Sequence, residues 1–269
     1  MTEKIGVLGC GWLGFPLAKH FIAKNHEVHG TTTSEHKLKE LKEAGISPYD
    51  IALSATKIEG DIQSFLSHID VLILNIPPRL RGENKESFIE KIRLLYNAIK
   101  KSTIAKLIFV SSTSVYGNVE GEVTEDTRPE PVTESGKQLL QCEQLFINDE
   151  ALESTIIRFG GLIGPTRHPV MMLSRRQNLK NGNDPVNLIH LKDCIHLIDT
   201  IIENNYWNEV FNGVYPLHPS KKEYYTDEAI KRGLNIPEYS EEFTGKSGKI
   251  ILSRNFFNKN HILHTSIIS

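Results

Sequence analysis

Glycines at positions 9, 11 and 14 of the stretch "GCGWLG" form a G-x-G-x-x-G pattern. The pattern follows an apolar run, "KIGVL", and opens an amphipathic one, "FPLAKHFIAK". A glycine loop between a strand and a helix is suited to a dinucleotide pyrophosphate. Gly9 allows the tight turn, Gly11 lets the backbone approach the phosphates, and Gly14 lets helix and strand pack closely. The helix N-terminus adds N–H groups and partial positive charge. Trp12 and Leu13, inside the loop, are expected to touch the same ligand. A glycine-rich turn without a ligand would have the same residues but no reason for this strand-to-helix setting.

The end of the second apolar run should select the nucleotide. A carboxylate there binds the ribose diol of NAD. This chain has "GTTTSEHK" instead. Thr31, Thr32, Thr33 and Ser34 are neutral hydroxyl donors, followed by His36 and Lys37, a set that tolerates a 2′-phosphate. Glu35 is the one acidic residue among them, and Ser34 also suits a helix cap. The expected cofactor is NADP, with NAD as the alternative. Asp50 ends a third, weaker run where an adenine edge could be met. Asp61 could take that part or cap a short helix. In "NIPP", Ile76 and Pro77 are placed beside the expected crevice, where a ligand wall and a stiff proline turn read alike.

These residues need a scaffold. Apolar strands and amphipathic helices alternate: strands at 4–9, 26–32, 46–52, 70–78, 106–112 and 154–160, with helices at 15–24, 34–45, 84–101 and 137–149 between most of them. The order predicts an α/β fold with a parallel sheet covered on both faces. Beyond Gly164 the pattern loosens into a short helix with a loop. A strand at 187–191, a helix at 192–204 and a strand at 209–214 follow, then a mixed tail. The expected organisation is a dinucleotide-binding domain over 1–164 and, over 165–269, mostly a small substrate lobe, with 186–213 returning to the first domain.

The 269 residues, 39% hydrophobic and 24% charged, suffice for that much core. A net charge of −2 gives no electrostatic case for nucleic acid. No apolar run is long enough to span a membrane, and no signal-peptide pattern is present. The three cysteines are widely spaced, which argues against a disulfide framework or a metal centre and for a reducing cytoplasm.

At "FVSSTSVYG", "TIIRFGGLIGPTRHP" and "NLIHLKDCIHLI" the chain resembles the extended short-chain dehydrogenase/reductases, the NAD-dependent epimerase/dehydratase family. The resemblance spans roughly residues 1–204. It implies a doubly wound parallel Rossmann sheet with a small C-terminal substrate lobe, and hydride transfer on nucleotide sugars or related carbonyls. It places the family's catalytic hydroxyl at Ser112, with Ser111 beside the cofactor. The family's Tyr-x-x-x-Lys pair is missing: anchored on Gly136 and Glu143, Ser135 takes the Tyr position and Leu139 the Lys position. An alcohol is a far weaker acid than a phenol, and leucine carries no charge to lower its pKa. Lys137 lies two residues from Ser135, about 200° around a helix, and should face away. These departures resemble an atypical branch of the family.

Tyr116 is the expected stand-in acid, and Arg167, His168 and Arg175 are expected to receive an anionic substrate. The function expected is an NAD(P)-dependent oxidoreductase or epimerase with altered catalytic groups. The alternative is an NADP-binding redox sensor or assembly protein without turnover. A β-hydroxyacid dehydrogenase suits the glycine loop but requires a long helical C-terminal domain. The expected partners are a small-molecule substrate and a second copy in a homodimer.

Overall fold

The computed structural model describes residues 2–78, 80, 86–240 and 248–268. Seven parallel strands form the central sheet: β1 (Lys4–Leu8), β2 (Glu27–Thr32), β3 (Ser47–Asp50), β6 (Val71–Leu74), β7 (Lys106–Ser112), β9 (Glu153–Phe159) and β12 (Val210–Gly213). Their spatial order is β12-β9-β7-β6-β1-β2-β3. The order reverses between β1 and β6, and ligands of open α/β sheets bind at the carboxyl end of such a reversal. Short strands β4 (Ala52–Leu53) and β5 (Ile58–Glu59) form a hairpin after β3.

The helices divide between the two faces. Helices α1 (Gly14–Ala23), α2 (Glu35–Glu43) and α7 (Leu191–Glu203) supply Leu17, Phe21, Leu41, Leu197 and Ile201 to one core. Helices α3 (Ile62–Ser67), α4 (Phe88–Ile99) and α5 (Glu134–Ile147) supply Phe65, Phe88, Ile92, Leu95 and Phe146 to the other. This is the doubly wound α/β fold expected from the sequence.

Local chemistry sets the boundaries. Asp61 caps α3 by accepting from Ser64 N at 2.9 Å, and Thr133 caps α5 by accepting from Gly136 N at 3.1 Å. Asp61 therefore takes the helix-cap role rather than the ligand role. The expected strand at 70–78 stops at Leu74. Asn75 N still bonds Leu8 O, but Pro77 and Pro78 have no N–H to continue the ladder.

The 3-10 turn Thr113–Tyr116 and β8 (Gly121–Val123) leave the sheet beyond β7. The lobe contains β10 (Gly161–Ile163), α6 (Val170–Leu173), β11 (Leu188–His190) and α8 (Lys221–Lys231), around a small core that includes Ile163, Val170, Leu188 and Tyr224. The tail departs from the expected division. Strand β13 (Lys249–Ile251) pairs in parallel with β8, and Phe256 of α9 (Arg254–Asn258) joins the core beneath β12, as does Leu263. The chain thus returns to the main domain a second time, through residues that the sequence assigned to the lobe.

Candidate functional site

The glycine loop sits at the carboxyl end of β1, and its glycines do different work. Gly9 has φ +105°, and a Cβ there would come within 2.5 Å of Asn75 O. A Cβ on Gly14 would fall 2.2 Å from Gly9 O, so α1 packs directly against the strand end. A Cβ on Gly11 would meet nothing within 4 Å. Gly11 faces open space where the other two face protein. Among the described residues, the N–H groups of Trp12 and Leu13 have no hydrogen-bond acceptor. Helix α1 begins with no side-chain cap and no acidic residue in its first turn. Unpaired donors, an uncapped helix N-terminus and a free approach fit a pyrophosphate.

Two residues hold the loop. Thr31 is buried, and its Oγ1 accepts from Gly9 N at 3.0 Å. Asn75 Nδ2 donates to Gly9 O at 3.2 Å. Thr31 therefore braces the loop from beneath instead of offering its hydroxyl to a ribose phosphate, a correction to the sequence expectation. The sequence signal for Asn75 is a lone amide at the end of an apolar strand, beside the Ile76 and Pro77 placed at the ligand. Ile76 is half-buried against Gly9, and Pro77 is exposed. Leu13 turns its side chain into the core, leaving its N–H as its contribution.

At the end of β2, Thr32 Oγ1 accepts from Ser34 N at 3.2 Å, which leaves its own proton free. Thr33 and Ser34 are exposed, and Ser34 precedes α2 without a side-chain cap bond. Lys37, one turn into α2, has no ion pair among the described residues, and its charge is felt at the Cys10 thiol. Burial pushes that thiol up to about 12, so Cys10 is inert packing under the loop. Asp50, exposed at the end of β3, lies opposite Thr32 in the ladder.

The expected catalytic groups separate. Ser112, half-buried at the end of β7, accepts from Ser114 N at 3.2 Å and keeps a hydroxyl proton to donate. Ser111 is buried, and its Oγ spends its proton on Glu143 Oε1 at 2.5 Å. Glu143, fully buried, also pairs with Arg158 at 2.7 Å. Arg158 Nη1 donates to the Tyr116 hydroxyl at 3.0 Å, and that hydroxyl donates to Asn212 Oδ1 at 2.8 Å. Burial works against the Arg158 charge, but Glu143 more than offsets it and holds the guanidinium above its ordinary value.

Tyr116 is thus a closed link in a buried network. Burial raises its pKa against the opposing pull of Arg158. It has no free face toward a substrate, and its expected role as acid is corrected on that ground. Lys137 is exposed, as the register implied, and Leu139 is buried in the apolar core.

The substrate-side residues also divide. His168 is buried, its Nδ1 accepting from Val170 N and its Nε2 lying 3.0 Å from the Tyr224 hydroxyl. Burial first, then the Arg232 charge, lowers its pKa to about 4. It is a neutral core residue of the lobe, not an anion receptor. Arg167 is exposed and stacks on Trp12, and Arg175 is exposed on the segment after α6.

A cavity of about 570 Å³ lies between the segment after β7 and the lobe. Gly117, Gly161, Asn187, Lys221, Tyr225 and Lys249 are among its lining residues. Lys249 Nζ donates to Gly117 O at 2.5 Å and Thr113 O at 3.4 Å, in the turn directly after Ser112. Burial first, then the charge of Lys221, holds Lys249 below the ordinary lysine range. Lys221 itself pairs with Asp184 at 2.9 Å. Sequence reasoning missed Lys249, because it arrives from a tail with no motif. Among the described residues no group of three His, Cys, Asp or Glu is placed to hold a metal ion, and no helix is long and apolar enough to cross a membrane.

The switch-point loop and the seven-stranded sheet define a doubly wound α/β fold of the Rossmann type. A family model described as NAD(P)H-binding matches residues 9–187, and the chain belongs to that family. Protein YeeZ of Escherichia coli K12 is 31% identical over 250 residues, 93% of this chain and 91% of that protein. The uncharacterized UDP-glucose epimerase YtcB of Bacillus subtilis is 26% identical over 228 residues, 74% of this chain and 72% of its own. A putative NAD-dependent epimerase/dehydratase from Methylobacillus flagellatus superposes with TM-score 0.74 at 24% identity, covering 98% of this chain and 93% of the other. A UDP-glucose 4-epimerase from Thermotoga maritima shares the fold at TM-score 0.78 and 18% identity, covering 98% and 94%.

Proposed function

We propose that this chain is an NAD(P)-dependent oxidoreductase or epimerase-like enzyme acting on a small carbonyl or nucleotide-sugar-like substrate, with NADP preferred. The observation that carries the reading is the glycine loop: Gly9 and Gly14 are filled by protein contacts while Gly11 and the N–H groups of Trp12 and Leu13 are left open. The relatives named for UDP-glucose epimerase activity support the substrate class. The bound dinucleotide would supply or accept the hydride. The preference for NADP rests on the absence of a carboxylate from Thr31–Ser34 and on Lys37, which has no ion pair among the described residues.

In this reading Ser112 holds the substrate oxygen. Lys249, which donates to the turn that follows Ser112, takes the proton-donor place that Tyr116 cannot fill. Burial lowers the pKa of Lys249, which makes the ammonium a better proton donor. The setting would be the cytoplasm, where the buried thiols Cys10, Cys142 and Cys194 stay reduced. The proposed assembly is a homodimer, read by sedimentation.

Side-by-side calorimetric titrations with NADPH and NADH test the cofactor half, with tighter NADPH binding expected. Tighter NADH binding would assign Glu35 to the ribose. The chemical half is tested with a panel of carbonyl compounds and nucleotide sugars on wild type, Ser112→Ala and Lys249→Met. Turnover that both substitutions leave intact would remove these roles. The second reading, a cofactor-binding protein without turnover, is favoured by Ser135 and Leu139 in the places of the missing relay. Tight NADPH binding with no turnover across the panel would select it.

A further inference from the structure

The turn at 164–167 is closed at both ends of its ladder pair, Gly164 N donating to Arg167 O at 2.8 Å and Arg167 N to Gly164 O at 3.1 Å. This rigid turn is pinned across the chain to the glycine loop. Trp12 Nε1 donates to Thr166 Oγ1 at 3.3 Å. A Cβ on Gly164 would lie 2.8 Å from Trp12 Cζ2, so only glycine allows the indole to seat there. The Arg167 guanidinium carbon then stands 5.1 Å from the centroid of the Trp12 ring, at cation–π distance. The next residue, His168, is buried in the lobe core through Tyr224. The turn is therefore fixed at both sides, to the loop by Trp12 and to the lobe by His168.

Arg167 is exposed and has no carboxylate partner among the described residues. A guanidinium held in place by stacking, with its fork of donors unused, is arranged for a planar or tetrahedral oxyanion. The nearest structure built for one is the loop that carries its platform. Trp12 follows Gly11, the open position, and the free N–H groups of Trp12 and Leu13 lie in the same turn.

We propose that Arg167 is a clamp on the cofactor pyrophosphate, with Trp12 as its platform. It belongs to the cofactor site and not, as the sequence suggested, to the substrate. The inference rests on the dinucleotide reading and adds a residue from outside the Rossmann motif to it. It also gives Trp12 a purpose that the spacing of the glycines leaves open. Because the turn is tied to the lobe, pyrophosphate binding would fix the lobe against the glycine loop.

The test uses the full chain as wild type, Arg167→Ala and Arg167→Lys. Binding is read by calorimetry and by quenching of Trp12 fluorescence, with Trp207→Phe as background to remove the other indole. The probes are NADPH, NADH, ADP, which keeps a diphosphate, and adenosine, which lacks one. Arg167→Ala should weaken the tighter dinucleotide and ADP by about ten- to a hundredfold, the range of a charge-assisted hydrogen bond. Adenosine should bind all three proteins alike. Arg167→Lys should fall between, since an ammonium keeps the charge but loses the fork. Equal dinucleotide affinity in wild type and Arg167→Ala overturns the clamp alone, as does an equal loss for ADP and adenosine. Wild type that binds neither dinucleotide overturns the dinucleotide reading and the clamp with it.

Discussion

Gly11 and Gly14 lie three positions apart, and a methyl group would meet open space at the first and Gly9 O at 2.2 Å at the second. Substitutions there should separate binding from folding. Gly11→Val is expected to keep the melting temperature and abolish NADPH binding, measured by calorimetry. Gly14→Ala is expected to lower stability by about 1–3 kcal/mol, the usual range for forcing atoms into a packed site, read by denaturant titration. His168 makes a second residue-scale prediction. The unfolded chain takes up this proton near 6.5 and the folded one near 4. Its contribution to stability is therefore full above 6.5 and is lost as pH falls from there toward 4. The loss should reach about 2 kcal/mol by pH 5. Urea titrations at pH 7.5 and pH 5 should show it, and His168→Gln should flatten the difference between the two.

Helix α5 shows how an element can keep its place while its chemistry goes. Its anchors are intact: Thr133 caps it, Gly136 packs so closely that a Cβ there would lie 2.7 Å from Ser114 O, and Glu143 reaches Arg158. What the helix presents has changed, because Leu139 is buried in the apolar core with Phe146 and Phe109. The missing lysine is not returned by one substitution. Leu139→Lys would bury an ammonium without a counter-ion and should cost about 3 kcal/mol or more, seen as a lowered midpoint in urea. A stable Leu139→Lys protein would mean that the side chain escapes to the crevice and that the relay is closer to restoration than its burial suggests. The Gly136 and Glu143 anchors were legible in the sequence through the resemblance, whereas the Thr133 cap and the start of the helix at Glu134 were not. The burial of Leu139 was not legible, since it depends on what faces the helix.

At the scale of the molecule, the tail decides how many units unfold. Phe256 and Leu263 sit in the same core as Leu17 and Phe211, and β13 is paired with β8. Lys249 and the core contacts thus come from one returning segment. We expect a single calorimetric transition whose van't Hoff and measured enthalpies agree, not one transition for each of two domains. Two resolved transitions would restore the boundary expected near residue 164. The same interleaving explains why the cavity walls come from five stretches of chain, 117–120, 161–169, 181–188, 221–225 and 248–249.

The sequence by itself determined the central sheet, the helices that cover it up to residue 204 and the glycine loop, and through its family resemblance the loss of the Tyr–Lys pair. The first three follow from periodicity, turn stereochemistry and residue identity within short windows. Only the tertiary structure decided which polar residues face a ligand. Ser111 and Tyr116 have the same local signal as Ser112, yet both are consumed by partners that folding brings to them, Glu143 from 32 residues away and Asn212 from 96. Trp12 meets Thr166 across 154 residues, and Lys249 meets Thr113 across 136. Burial and hydrogen-bond satisfaction are properties of the packed whole. A side chain's availability for chemistry is set by neighbours that no local pattern names.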